Sequence, residues 1–172
     1  ALMHASTVRA AHWGALAITL IWLLVASLIY GGWVWYESLV RASLVPYQGQ
    51  GGELVVPRDA DGHFYVMGEV NHAPVKFIVD TGATAVTIND TQAQQAKLPS
   101  GRSVTIHTAN GAVQGELIHG VPVRAGHLVS NDTLVARGMV GLPPDQGLLG
   151  QSFLMQFDIE LREHAMVLRP RR

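Results

Sequence analysis

Two hydrophobic patterns divide the chain. From Trp13 to Tyr36 no side chain carries a formal charge. Wound as a helix, such a run is roughly 36 Å long at ~1.5 Å per residue, enough to cross a bilayer. Beyond Glu53 the apolar residues come instead in short runs of β-formers separated by turn residues. Leu54-Val55-Val56 reads as a strand stopped by Pro57, followed by a turn at Asp59-Ala60-Asp61-Gly62. His63 to Val70 and Val75 to Val79 read as a hairpin around Asn71-His72-Ala73-Pro74, and Val86-Thr87-Ile88 as a further strand. Asn89 or Asp90 can cap a short helix through Thr91 to Leu98, which Pro99 closes. Val104 to Val113 reads as a hairpin around Asn110-Gly111, the strongest short-range hairpin signal. Glu116 to Val123 and Leu128 to Val135 continue as strands. Phe157 to Leu161 and His164 to Leu168 make a terminal hairpin.

Composition sharpens the division. All four Trp lie within the first 35 of 172 positions. Trp13 at one end of the apolar run and Trp33, Trp35 and Tyr36 at the other fit the aromatic belts of the two membrane interfaces. A cleaved signal peptide and a buried core helix are the alternatives. A small-residue site exists at Val25-Ala26-Ser27, but the apolar run continues through Leu28-Ile29-Tyr30, which favours an uncleaved signal anchor. Arg9 and the amino terminus precede the span while Glu37 and Arg41 follow it, a bias that places the N-terminus in the cytoplasm. The expected organisation is a cytoplasmic segment at 1–12, a transmembrane anchor at 13–36, a juxtamembrane linker at 37–52 and a folded domain at 53–172. Gln48-Gly49-Gln50-Gly51-Gly52 reads as a flexible tether.

The chain has no Cys, so a thiol nucleophile, a disulfide scaffold and thiolate metal sites are excluded. A net charge of −1 without a basic stripe argues against nucleic acid as a partner. The eight His are scattered without i, i+4 or HExxH spacing, so neither a metal site nor a cofactor is expected.

Candidate chemistry concentrates at Phe77-Ile78-Val79-Asp80-Thr81-Gly82-Ala83-Thr84. The β-formers Phe77 to Val79 deliver Asp80 at a strand end on a rigid support. Gly82 permits a tight turn, and its N–H can donate to the carboxylate with no Cβ in the way. Thr81 can tie the turn through its hydroxyl. A surface β-turn is the plain reading of Asp-Thr-Gly alone. A second feature follows about seventy residues later, Leu148-Leu149-Gly150 and then Gln151-Ser152-Phe153-Leu154. Gly150-Gln151-Ser152 opens like a nucleophile elbow, but Leu154 stands where the closing glycine is required, so that reading fails.

Together these segments resemble the aspartic proteases, specifically the single-lobed retroviral type and the membrane-anchored clan AA enzymes of Gram-negative bacteria. The resemblance implies an all-β fold: one retropepsin-like closed barrel with a flap hairpin and one or two short helices, preceded by one transmembrane helix. It implies that Asp80 is catalytic, that Thr81, Gly82, Ala83 and Thr84 form the active-site loop, and that Leu148, Leu149 and Gly150 support that loop. Thr108, Ala109, Asn110 and Gly111 fall in the place of the flap that closes over substrate; an ordinary surface hairpin is the alternative. Thr84 stands where retroviral enzymes carry Asp, which removes a salt bridge expected there.

Such chemistry needs two carboxylates sharing one proton, one acting as base on a water and the other polarising the scissile carbonyl. With a single Asp-Thr-Gly in the chain, the resemblance implies a homodimer in which two copies of Asp80 meet at the two-fold axis, and a bell-shaped dependence of activity on pH. It further implies protein or peptide substrates, chain ends (Leu54-Val55-Val56 and Ala165-Met166-Val167-Leu168) interleaved between subunits, and a domain facing the periplasm from the inner membrane. A non-catalytic peptide-binding or dimerisation module on the same barrel is the rival reading.

Overall fold

The computed structural model describes residues 18–36, 45–108, 111–138, 141 and 143–171. The chain falls into two compact units, residues 1–43 and 44–172. In the first, helix α1 (Ile18–Tyr36) is long and apolar enough to cross a membrane. Its large side chains, Trp22, Leu24, Ile29 and Trp33 among them, are exposed.

The second unit carries strands β1 (Tyr47–Gln48), β2 (Leu54–Pro57), β3 (Tyr65–Val70), β4 (Ala73–Val79), β5 (Val86–Ile88), β6 (Arg102–Thr108), β7 (Gly111–Ala125), β8 (Leu128–Arg137), β9 (Gln146–Leu149), β10 (Phe157–Leu161) and β11 (Ala165–Pro170). Two short helices accompany them, α2 (Asp90–Gln95) and α3 (Gln151–Leu154). The strands β3-β4-β9-β5-β8-β7 follow one another around a sheet that closes on itself where β7 meets β3 again. The expected all-β retropepsin-like barrel is therefore the fold. The long strand β7 pairs with β6 over its first half and with β3 at its end, Val70↔Val123. It turns from one to the other through register shifts on either side of Val121, next to Gly120 at φ +70°. Such bulges bend a strand around a barrel.

Local chemistry fixes the elements. In β4, Ala73, Val75 and Phe77 point into the core while Pro74 and Lys76 point out, the period-two alternation of a half-buried strand. The β3–β4 turn is tighter than its sequence suggests. Asn71 and His72 both adopt positive φ (44° and 70°), so Val70 pairs directly with Ala73 and the residues Ala73-Pro74 belong to β4. A two-residue loop of this hand matches the right-handed twist of the strands. Asn89 is the N-cap of α2, its side chain and that of Gln92 bonding each other's backbone N–H in a capping box. Phe77, Phe153, Leu54, Ile88, Leu149, Leu154 and Leu168 are fully buried and form the centre of the core. Each such side chain contributes about 1.5–3 kcal/mol of transfer free energy.

A second, wholly antiparallel sheet has the order β1-β2-β11-β10. Gln48, the first residue of the stretch expected to be a tether, and Tyr47 before it pair with Leu54 and Val55 across a 3-10 turn at Gln50–Gly52. The two segments that the resemblance assigned to a sheet shared between subunits pair with each other inside one chain, Val55↔Val167 and Val56↔Met166. The connection at 162–164 is short enough to fold β11 back onto β10, and β2 takes its other edge.

Candidate active site

Asp80 follows the last residue of β4. That strand lies parallel to β9, from Lys76↔Gln146 to Val79↔Leu149, and the ladder extends one step further where the Asp80 N–H donates to Leu149 O at 3.1 Å. On its other side β9 meets β5 at Thr87↔Leu148. β4 and β5 are consecutive in sequence yet straddle β9, so the connection through Asp80 to Ala85 crosses the end of that strand. The crossing explains Gly150. A Cβ there would lie 2.2 Å from Ala85 O and 2.7 Å from Ala83 O, so only glycine lets the two backbones pass. Leu149 is fully buried beneath the loop and Leu148 half-buried.

The loop folds back on its own acid. Gly82 N–H donates to Asp80 Oδ1 at 2.8 Å, and Ala83 N–H to Asp80 O at 3.3 Å. Among the described residues Asp80 Oδ2 takes no hydrogen bond, so it is open to water or substrate. Asp80 is half-buried, whereas Thr81, Gly82 and Thr84 are exposed. Exposure on one side and backbone restraint on the other suit a carboxylate that must meet a reactant in a fixed orientation.

Helix α3 clamps the loop from behind. The first amides of a helix have no partner within it. Here Gln151 N–H donates to Ala83 O at 2.8 Å and Ser152 N–H to Thr84 O at 2.9 Å. Gln151 Nε2 reaches Thr81 O at 2.9 Å. Ser152 Oγ accepts from Val86 N–H at 3.0 Å and donates to Leu134 O at 2.7 Å, joining the end of the loop to β8. Sequence reasoning assigned no role to these two side chains. Gly150-Gln151-Ser152 entered the sequence reading as part of the second family segment and as a failed nucleophile elbow, neither of which gives the two side chains a task. The serine is a brace.

Near the loop, Val79 N–H donates to Phe64 O at 2.9 Å, which brings the turn before β3 beside the acid-bearing strand end. There Tyr65 OH donates to Asp61 Oδ2 at 2.7 Å. That bond is the main cause pushing the phenol up to about 12 and the main cause lowering Asp61. Asp145 precedes β9 at the end opposite Leu149, so it is not a second acid for this loop. In the expected flap, Thr108 pairs with Gly111 at the close of the β6–β7 hairpin, and Gly111 has φ +116°. Ala109 and Asn110 lie outside the described residues. The structure thus brings Asp80, Thr81, Gly82, Ala83 and Thr84 together with Leu148, Leu149 and Gly150.

Residues 66–156, just over half the chain, match the family model described as "gag-polyprotein putative aspartyl protease". The chain belongs to the retropepsin-like aspartic protease family. A solved structure of a retropepsin-like aspartic protease from Rickettsia conorii is similar, with a TM-score of 0.56 and 28% identity, over 68% of this chain and 90% of that one. An uncharacterized protein of Rickettsia prowazekii (strain Madrid E) is 30% identical over 128 residues, 71% of this chain. An uncharacterized protein in the cobV 5′ region of Sinorhizobium sp is 27% identical over 170 residues, 87% of this chain. The chain spans 54% of the Rickettsia prowazekii relative's length and 71% of the Sinorhizobium one's. In this retropepsin-like chain the matched range contains the acid loop, β9 and α3, and leaves out β1, β2, β10 and β11.

Proposed function

We propose that the chain is a membrane-anchored aspartic endopeptidase that works as a homodimer, each subunit giving one Asp80. The observation that carries this reading is the half-buried Asp80 carboxylate, fixed through Oδ1 by the Gly82 N–H at the end of β4, in a chain with no second Asp-Thr-Gly. Two such carboxylates a few ångströms apart hold one proton between them, because ionising both is costly. The ionised member takes a proton from water as the water attacks the scissile carbonyl; the protonated member donates to the carbonyl oxygen. Proton return to the amine then releases the two peptide fragments. Water activation by a carboxylate pair requires no metal and no cofactor.

Substrate lies extended between the flap (Thr108 to Gly111) and the floor made by Asp80 to Thr84, bonded through its main chain as an added strand. The exposed Thr81 contacts the opposite subunit's loop. Helix α1 supports anchoring in the bacterial inner membrane, with the N-terminus cytoplasmic and the barrel in the periplasm. Confinement to one bilayer raises the effective concentration of the two halves. The test is Asp80→Asn in the full-length chain in detergent micelles, assayed on a quenched peptide library. Cleavage falls by roughly 10²–10⁴-fold or more, while thermal stability and peptide binding persist. Cleavage by Asp80→Asn at the parental rate refutes the proposal, as does a parent chain that binds peptides and never cuts them.

A further inference from the structure

The turn that carries Asp80 has two backbone settings, and they differ by one peptide unit. Ala83 N–H donates to Asp80 O at 3.3 Å, so Asp80, Thr81, Gly82 and Ala83 form a β-turn with Thr81 and Gly82 at its centre. Rotating the central Thr81–Gly82 peptide by half a turn interconverts types I and II, and a glycine in the third position is compatible with both. Gly82 does not take the positive φ that type II requires. The setting observed aims the Gly82 N–H at Asp80 Oδ1, 2.8 Å away. Flipping the unit turns that N–H away and brings the Thr81 oxygen round toward the carboxylate.

The bond to Asp80 does not hold this choice equally well throughout turnover. In the mechanism proposed above each Asp80 passes between ionised and protonated forms, and a hydrogen bond to an ionised acceptor is roughly twice as strong as one to a neutral acceptor. The turn is therefore least constrained by its own acid when that acid carries the proton. Gln151 supplies a second hold. Its Nε2 donates to Thr81 O at 2.9 Å, on the same peptide unit whose N–H serves Asp80, so a flip breaks both bonds. A side-chain amide does not titrate, and its grip is the same in either state of the acid. A donor on the carbonyl also polarises the peptide and strengthens its N–H as a donor. Gln151 is itself well anchored: it is half-buried, it opens α3, and its own N–H donates to Ala83 O at 2.8 Å.

We infer that Gln151 is a positioning residue for the reaction, its side-chain amide locking the Thr81–Gly82 peptide so that the Gly82 N–H faces Asp80 in both protonation states. The inference rests on the endopeptidase reading above, and Gln151 acts on Asp80 through the shared peptide.

Thr81-Gly82 is the only Thr-Gly pair in the sequence, which makes the test direct. Labelling the full-length chain in detergent micelles with carbonyl carbon-13 threonine and nitrogen-15 glycine gives one correlated magnetic-resonance signal, from the peptide that Gln151 and Asp80 share. Gln151→Met keeps the reach of the side chain and the main-chain bonds of α3 but removes the donor; Gln151→Lys keeps a donor. In Gln151→Met the labelled amide is expected to exchange with solvent roughly tenfold faster or more. Its kcat on a quenched peptide falls between roughly ten- and a hundredfold, while KM and near-ultraviolet circular dichroism stay at the parental values. Gln151→Lys returns kcat to within about threefold of the parent. Parental kcat or parental amide exchange in Gln151→Met overturns the inference, as does a folded Gln151→Lys impaired as severely as Gln151→Met. A parent that never cuts peptides sinks the endopeptidase reading, and with it any part for Gln151 in the reaction. Full cleavage by Gln151→Met sinks this inference and leaves that reading standing.

Discussion

Ser152→Ala tests whether the acid loop depends on a brace from α3. The substitution deletes one oxygen and leaves the Val86 N–H and the Leu134 carbonyl without their partners at 3.0 and 2.7 Å. Val86 is fully buried and Leu134 half-buried. An unsatisfied buried group costs about 1–3 kcal/mol; taking the full range for the amide and the low end for the carbonyl gives roughly 2–4 kcal/mol. For a unit of this size the midpoint then falls by roughly 6–12 °C. All four Trp lie in the N-terminal 35 residues, so tryptophan fluorescence does not report on the barrel. Near-ultraviolet circular dichroism of the Tyr and Phe residues, in the full-length chain in micelles, is the suitable probe. Val86 begins β5 where the loop ends, so movement there reaches Asp80 through Ala83 and Thr84. Displacing a catalytic group by about 1 Å can cost roughly 10²-fold in rate, and peptide cleavage should fall by that order at temperatures where the variant is folded. A midpoint within about 1 °C of the parent, together with unchanged cleavage, would refute the brace.

Gly150→Ala should be worse than its size suggests, because the new methyl meets backbone at 2.2 Å and no flexible side chain can yield; overpacking of about 3 kcal/mol or more is expected, read as a loss of the folded fraction on expression or in urea titration. His72→Gly should stabilise the barrel by about 0.5–1 kcal/mol, since His72 occupies positive φ that glycine adopts without strain; a lower urea midpoint would contradict the turn geometry. Glu160 is held down to about 2 by its bonds from Arg162 and then Arg169, against an ordinary value of 4.5. Its contribution to the terminal hairpin is therefore complete above about pH 4.5 and disappears as pH falls toward about 2. Comparing urea midpoints of the parent and Glu160→Gln across that interval should show the parent losing its advantage only there, and a constant difference would refute the linkage.

Much of this architecture is visible in one-dimensional pattern. The alternation in Ala73 to Phe77, the capping residues around Asn89 and the β-formers of the terminal hairpin are local signals, and each produced the element it announced. Asp80-Thr81-Gly82 was legible for the same reason, since the acid, the turn and the donating Gly82 N–H all lie within three residues. What could not be read was pairing at a distance. Nothing in Gln146 to Leu149 says that this strand inserts between β4 and β5, because a parallel neighbour is chosen by burial of both faces rather than by any turn. Nor does Ala165 to Leu168 say whether it meets Leu54 to Val56 of its own chain or of another. Tyr47 and Gln48 were hidden by their glycine-rich surroundings, where composition suggests looseness but an exposed strand edge imposes order.

The insertion of β9 also sets a timetable. The chain leaves the ribosome with its acid at position 80, but the strand and helix that give that acid its bearings come only between Gln146 and Leu154. A nascent or truncated polypeptide ending earlier carries the whole Asp-Thr-Gly motif without the β9 and α3 contacts that brace it. Whatever cutting such a loop supports therefore waits until the chain has been made through Leu154.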